Sequence, residues 1–313
     1  MPAPEKIGFL FPGQGAQFVG MGKDFYEKFP SAQRIFDSAE TYLQYPLTAI
    51  CFEGPEEKLT RTLYAQPAIF VMSLAVLAIL TERYPDLSPK FAAGLSLGEF
   101  TALTAAGSFS FLDGLRLVQQ RAEAMEKCAA SHPGTMASII GLAAADCEAL
   151  AKEAGCEVAN INSSDQIVLS GTESSIHRAC RLAETRGAKR ALPLKVAGAF
   201  HSSLMRDAQE DLEKALKGAA IRSPKYTFVS NVTASAIHAP EEIRKLLARQ
   251  LTSPVRWAAT MEFAGESGIS FFIEIGPGKV LKGLARKRRP EIHVEACGTA
   301  SDIQTLDNLF AKV

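Results

Sequence analysis

FAAGLSLGEF, Phe91 to Phe100, carries a short apolar run, a serine between two glycines, and the start of a small-residue stretch reaching Ala106. Gly94-Leu95-Ser96-Leu97-Gly98 has the G-x-S-x-G spacing of a nucleophile elbow, a strand-to-helix turn that exposes a serine hydroxyl. Gly94 and Gly98 let two backbones cross closely, and Ser96 would stand at a helix N-terminus, where amide dipoles favour negative charge. A helix-capping serine between packing glycines reads the same residues, and on local context the two readings stand level. Under either reading the stretch is a β-α unit, so it predicts an α/β fold.

Working outward, Lys6 to Phe11 (KIGFLF) reads as a buried strand ended by Pro12-Gly13. Helical patterns follow at 21–29 and 31–42. Gln66-Pro67 is placed to open an apolar helix, with proline in the first turn. The run from Ala68 to Leu80 is shorter than the roughly 20 residues a bilayer span needs, so a buried helix is expected. A further helix is predicted over 111–127. The rhythm then changes to strand 135–141, helix 143–154, strands 157–161 and 166–170, helix 174–186 and strand 190–196. That β-α-β-β-α-β order is a ferredoxin-like unit. Helices at 205–217, 240–251 and 257–265, with strands at 226–230 and 270–275, return to the first pattern. The expected architecture is an α/β-hydrolase-like core with a mostly parallel sheet, residues 1–127 and 198–313. It is interrupted by a ferredoxin-like βαββαβ subdomain, residues 128–197.

Lys+Arg and Asp+Glu both total 34 among 313 residues, which argues against a nucleic-acid or acidic-membrane partner on global charge. The six cysteines form no C-x-x-C pair, and with five histidines no zinc-ligand spacing emerges. Reduced thiols and a cytoplasmic location are expected. The N-terminal residues lack the basic-then-apolar layout of a signal peptide.

A serine nucleophile needs a base in hydrogen-bond reach, most often histidine. His132 and His238 lie in turns, His177 on a polar stretch of the insertion, and His293 after Arg288-Arg289-Pro290. His201 ends the apolar approach Val196-Ala197-Gly198-Ala199-Phe200 at a junction between the two units, where clefts form.

FLFPGQGAQFVGMG, AQPAIF, GLSLGEFTAL, QQRAEAM, GTMASIIGL, GAFHSSLM, RQLTSPVRW and EIGPGKVL occur in this order. Together they resemble the malonyl-CoA:acyl carrier protein transacylase family, from about residue 7 to about residue 284. The resemblance implies Ser96 as the acylated nucleophile and His201 as its base, with the Gln14 and Leu97 backbone N–H groups as oxyanion hole. It further implies that Arg121 holds the malonyl carboxylate bidentately and that the Gln250 backbone carbonyl orients His201. Phe200, in Gly198-Ala199-Phe200-His201, would crowd a substituent on the acyl α-carbon. Many members carry histidine where this chain has Leu95. Consecutive side chains diverge at an elbow, so that position is poorly placed to deprotonate Ser96.

From pattern alone Arg121 is a snorkelling or salt-bridged arginine, since Leu117, Val118 and Met125 share its helix face. The basic run Lys279, Lys282, Arg286, Lys287, Arg288 and Arg289 is a solvated face, or meets CoA phosphates or an acidic carrier protein. The implied partners are malonyl-CoA and acyl carrier protein. No metal or other cofactor and a monomeric state are expected. Two rivals remain at this point: a serine esterase or thioesterase using water, and a non-catalytic carrier-binding module. Arg121 and the inserted unit argue against the first, for which persistence of a malonyl-enzyme without carrier is the discriminating observation; intact Ser96, His201 and Arg121 argue against the second.

Overall fold

The computed structural model describes residues 6–288 and 291–310. Among them the strands are β1 (Ile7–Phe11), β2 (Phe91–Gly94), β3 (Thr135–Ile140), β4 (Glu157–Ile161), β5 (Gln166–Gly171), β6 (Arg190–Pro193), β7 (Thr227–Val229), β8 (Ala236–Ile237), β9 (Phe271–Ile275) and β10 (His293–Cys297). The larger sheet has the order β10-β9-β1-β2-β7-β8, parallel except for the antiparallel pair β7–β8. Its central strands are short continuous apolar runs because both faces are covered. Phe9, Phe11, Ala92, Ile273 and Ile275 enter the core on one face, and Leu10, Phe91, Ala93 and Phe272 the core on the other. Edge strands β8 and β10 were not foreseen from the sequence.

The apolar helix runs Thr62–Arg83, so it starts earlier than expected and Pro67 lies inside it rather than in its first turn. The start is set by a residue far along the chain: the Glu126 carboxylate accepts the Leu63 N–H at 2.9 Å and pairs with Arg61. At 22 residues the helix is long and apolar enough to cross a membrane, which corrects the length argument. It is the central helix of the core, buried from Ala65 through Val76.

The insertion forms an antiparallel sheet of order β4-β5-β3-β6, the ferredoxin-like arrangement. One face, with Ala137, Ile139, Ile167 and Leu169, packs on the helices Ala144–Ala154 and Glu173–Thr185. The other face carries Met136 and Val168 and belongs to the main core and its cleft. The helix entering the insertion, Phe111–Ser131, continues past the expected join at 127/128. His201 follows the exit from β6, so the two stems of the insertion bear Arg121 and His201.

Candidate active site

The turn after β2 is built around backbone crossings. A Cβ on Gly94 would lie 2.0 Å from the Gly98 carbonyl oxygen, and one on Gly98 would lie 2.2 Å from the Phe11 oxygen. Only hydrogen fits at either place. The Leu95 N–H donates to the Phe11 carbonyl at 3.1 Å, which fastens the turn to β1. Ser96 is forced to φ 53°, a left-handed conformation costing a non-glycine residue about 1–3 kcal/mol. Asn231 supports it: its Oδ1 accepts the Ser96 N–H at 2.7 Å and its Nδ2 donates to the Gly94 carbonyl at 2.8 Å. The helix Gly98–Ala105 follows at once, leaving Ser96 at its N-terminal end.

Ser96 Oγ lies 2.8 Å from His201 Nε2. His201 Nδ1 is 2.8 Å from the Gln250 carbonyl oxygen. A carbonyl can only accept, so Nδ1 carries the proton and Nε2 presents its lone pair to the serine hydroxyl. His201 is buried, and burial first, then the Arg121 charge, lowers its pKa from 6.5 to about 4. The imidazole is thereby neutral and able to take a proton at pH 7. His201 also has positive φ, 59°.

Arg121 has no exposed surface. Its Nη2 donates to Ser96 Oγ at 3.0 Å and to Gln250 Oε1 at 2.8 Å, and its Nη1 donates to Gln66 Oε1 at 2.7 Å. The guanidinium also stands over the Phe100 ring. Burial lowers its pKa to about 10, with Glu99 opposing the shift, so it keeps its charge at neutral pH. Arg121 therefore lies behind the serine, its fork engaged by neutral oxygens that an acyl-borne carboxylate would replace.

The Gln250 side chain does more than the sequence suggested for its backbone. Besides accepting from Arg121, its Nε2 donates to the Ser96 carbonyl at 2.9 Å and to Glu99 Oε2. Glu99 is fully buried, and its Oε1 accepts the Asn231 N–H at 2.6 Å. Burial raises its pKa to about 8, against the pull of its donors and of Arg121. Through its two accepting oxygens Glu99 thus anchors both the residue that holds the elbow and the residue that holds the histidine. Sequence reading missed Glu99, Asn231 and Gln66; the available signal was an acidic residue inside the otherwise small and apolar Gly98–Ala105 helix.

Gly13 abuts the elbow, since a Cβ there would lie 2.4 Å from the Leu95 carbonyl oxygen. This seats the Gly13–Gly15 loop beside Ser96. Among the described residues neither the Gln14 nor the Leu97 N–H finds a protein acceptor. The Gln14 side chain joins the network through Gln66 Nε2 and Thr62 Oγ1.

Ser96, His201, Gln14 and Gln66 border a cleft of about 230 Å³, open at its mouth. Met136, Asn160, Asn162, Gln166, Val168, Leu194 and Val196 of the insertion form one wall; Gln14, Gln66, Leu95, Met125, Val280 and Leu284 form the other. Phe200 is buried, reaching both the core and the cleft. Leu95 lines the cleft and packs against the second core. Of the basic run, Lys282 pairs with Glu295 at 2.8 Å; Arg289 lies outside the described residues.

The family model described as "Acyl transferase domain" matches residues 8–297. A malonyl CoA-acyl carrier protein transacylase of Bacillus subtilis (strain 168) is 43% identical over 96% of this chain and 95% of its own length. One of Haemophilus influenzae is 39% identical over 90% and 92%. Among solved structures, an acyl-carrier-protein-S-malonyltransferase from Bartonella henselae superposes with a TM-score of 0.93 at 38% identity, covering 98% of this chain and 99% of that one. A malonyl-transacylase in complex with its type II PKS acyl-carrier protein gives 0.94 at 36% identity, covering 97% and 100%.

Proposed function

The chain belongs to the acyl transferase domain family, and from that premise we propose that it moves a malonyl group from malonyl-CoA to the phosphopantetheine thiol of an acyl carrier protein. The observation that carries the chemistry is the hydrogen-bonded line Ser96 Oγ, His201 Nε2, His201 Nδ1, Gln250 O. Nε2 takes the hydroxyl proton as Oγ attacks the thioester carbonyl. The Gln14 and Leu97 N–H groups are assigned to the resulting oxyanion, where fixed donors stabilise charge as it develops. Collapse expels CoA thiolate, protonated by His201, and leaves malonyl on Ser96. The carrier's thiol then attacks with His201 again as base, regenerating Ser96.

Arg121 is assigned to the malonyl carboxylate: it already touches Ser96 Oγ, so an acyl group on that oxygen has the guanidinium within reach. The carboxylate replaces amide oxygens of Gln66 and Gln250, exchanging neutral acceptors for a charged one. Phe200, on the cleft wall, is assigned to crowding a branch at the acyl α-carbon. The cleft's mixed lining of methionine, valine, asparagine and glutamine suits a pantetheine arm, which alternates amides with methylenes. These steps draw on side chains and backbone amides alone, and we assign no cofactor to them. A monomer in the cytoplasm, supplying fatty acid synthesis, completes the reading.

Mass spectrometry after incubation with malonyl-CoA tests it. A malonyl adduct on Ser96 that holo-carrier protein discharges to itself is the expected result. An adduct lost equally fast without carrier would make the protein a hydrolase, and no adduct at all would remove the proposal.

A further inference from the structure

Away from the cleft, the C-terminal end of the Phe111–Ser131 helix and the first turn of the Arg206–Lys217 helix bring together three side chains of metal-ligating type. Cys128 lies in the last turn and His132 is the residue that ends the helix, its N–H donating to the Cys128 carbonyl at 2.8 Å, so the two stand one turn apart, the spacing of an i, i+4 zinc pair. Asp207 faces them: its Oδ2 lies 2.9 Å from His132 Nε2. One donor atom from each of Cys128, His132 and Asp207 lies within 4.8 Å of the others. Around a tetrahedral ion with zinc-like bond lengths, donors are separated by about 3.3–3.7 Å. The adjustment required is about 1 Å, and His132 and Asp207, with side-chain exposures of 44% and 65%, are free to make it.

We propose that Cys128, His132 and Asp207 form a binding site for a zinc-class divalent ion, outside the acyl-transfer site. Charge balance favours it: a thiolate and a carboxylate neutralise a divalent ion, with neutral imidazole as third ligand. Three protein donors leave one tetrahedral position for water. The buried thiol makes the site selective for thiophilic metals over magnesium or calcium. On binding, the Cys128 proton, now directed at the Leu204 carbonyl at 3.1 Å, passes to solvent, and the sulfur–metal bond replaces that contact. Leu204 lies in the Ser203–Met205 turn that follows His201. The ion would therefore bind the stem carrying Arg121 to the helix that follows this turn.

The test is titration of the reduced, metal-free protein with cobalt(II), followed by zinc(II). The expected result is a near-ultraviolet thiolate-to-cobalt band with visible bands of tetrahedral intensity, saturating at one ion and displaced by zinc. Cys128→Ser abolishes the thiolate band. His132→Ala and Asp207→Asn each weaken cobalt binding by at least about tenfold, since even the loss of an outer-sphere partner costs 10–100-fold. Zinc raises the melting temperature of the wild type but not of His132→Ala, whose exposed position leaves the fold intact should Cys128→Ser fail to fold. Absence of a thiolate band up to millimolar cobalt overturns the proposal. So does a band that survives in Cys128→Ser, or zinc stabilisation that persists in His132→Ala.

Discussion

Replacing Arg121 by methionine separates the carboxylate anchor from the catalytic line. Methionine fills much of the arginine stem's volume, so packing against Phe100 is largely kept. Two effects follow. Gln66 Oε1 and Gln250 Oε1 lose the donors they hold at 2.7 and 2.8 Å, which costs about 1–3 kcal/mol for each buried acceptor left unpaired. That loss falls on the fold and on every acyl substrate alike. The second effect touches malonyl alone. In the wild type its carboxylate takes over two guanidinium donors from neutral amide oxygens; both kinds of bond have a charged donor and lie at about 1.5–3 kcal/mol each, the carboxylate at the high end and the amide oxygen at the low end. Over two bonds the difference is about 1–3 kcal/mol, or roughly 5- to 160-fold in kcat/KM. The assay is kcat/KM for malonyl-CoA and acetyl-CoA with the same holo-carrier protein, with thermal melts run alongside. The ratio malonyl/acetyl is expected to fall by that factor while acetyl transfer changes far less. Parallel losses for both substrates would refute the anchoring role of Arg121.

The remaining expectations concern the supports of the site. Glu99→Gln sets an amide N–H against either the Asn231 N–H or the Gln250 Nε2, so melting temperature and kcat should both fall while KM stays near wild type; wild-type melting and turnover would show that Glu99 supports neither residue. His201, lowered to about 4 from 6.5, leaves the protein's stability complete above pH 6.5 and erodes it as pH falls toward 4. The loss is on the order of 3 kcal/mol, because the unfolded chain takes up the proton first. The acid limb of kcat/KM should accordingly lie well below pH 6.5, and Arg121→Met should move it upward; an unmoved limb counts against the Arg121 contribution. Gly94→Ala should prevent folding or lower urea stability severely, because its Cβ meets backbone at 2.0 Å. Gly218→Ala, with open space around it, is the matched control and should leave urea stability almost unchanged.

Much of the fold is written locally. KIGFLF and FAAG are apolar runs closed by proline or glycine, and they became β1 and β2 because such runs pack when both faces are covered. HVEAC was not readable in this way. β10 is an edge strand whose His293 and Glu295 pair with each other, and Glu295 with Lys282, so its residues alternate without an apolar signature. The start of the Thr62–Arg83 helix was misplaced because Glu126, more than sixty residues away, receives its first-turn amide. The site divides along the same line. Ser96 announces itself through the glycines that its turn requires, and His201 through its place at the junction. Glu99, Asn231 and Gln66 reach the site through partners 52 to 151 residues distant, so nothing in their neighbourhoods marks them.

The two stems of the inserted sheet have a mechanical consequence. One stem is the helix bearing Arg121; the other arrives at His201. One face of the insertion is a wall of the cleft, so any tilt of that sheet would change the width of the opening and act on the helix that carries Arg121 and the segment that carries His201. Aperture and alignment are then one coordinate rather than two.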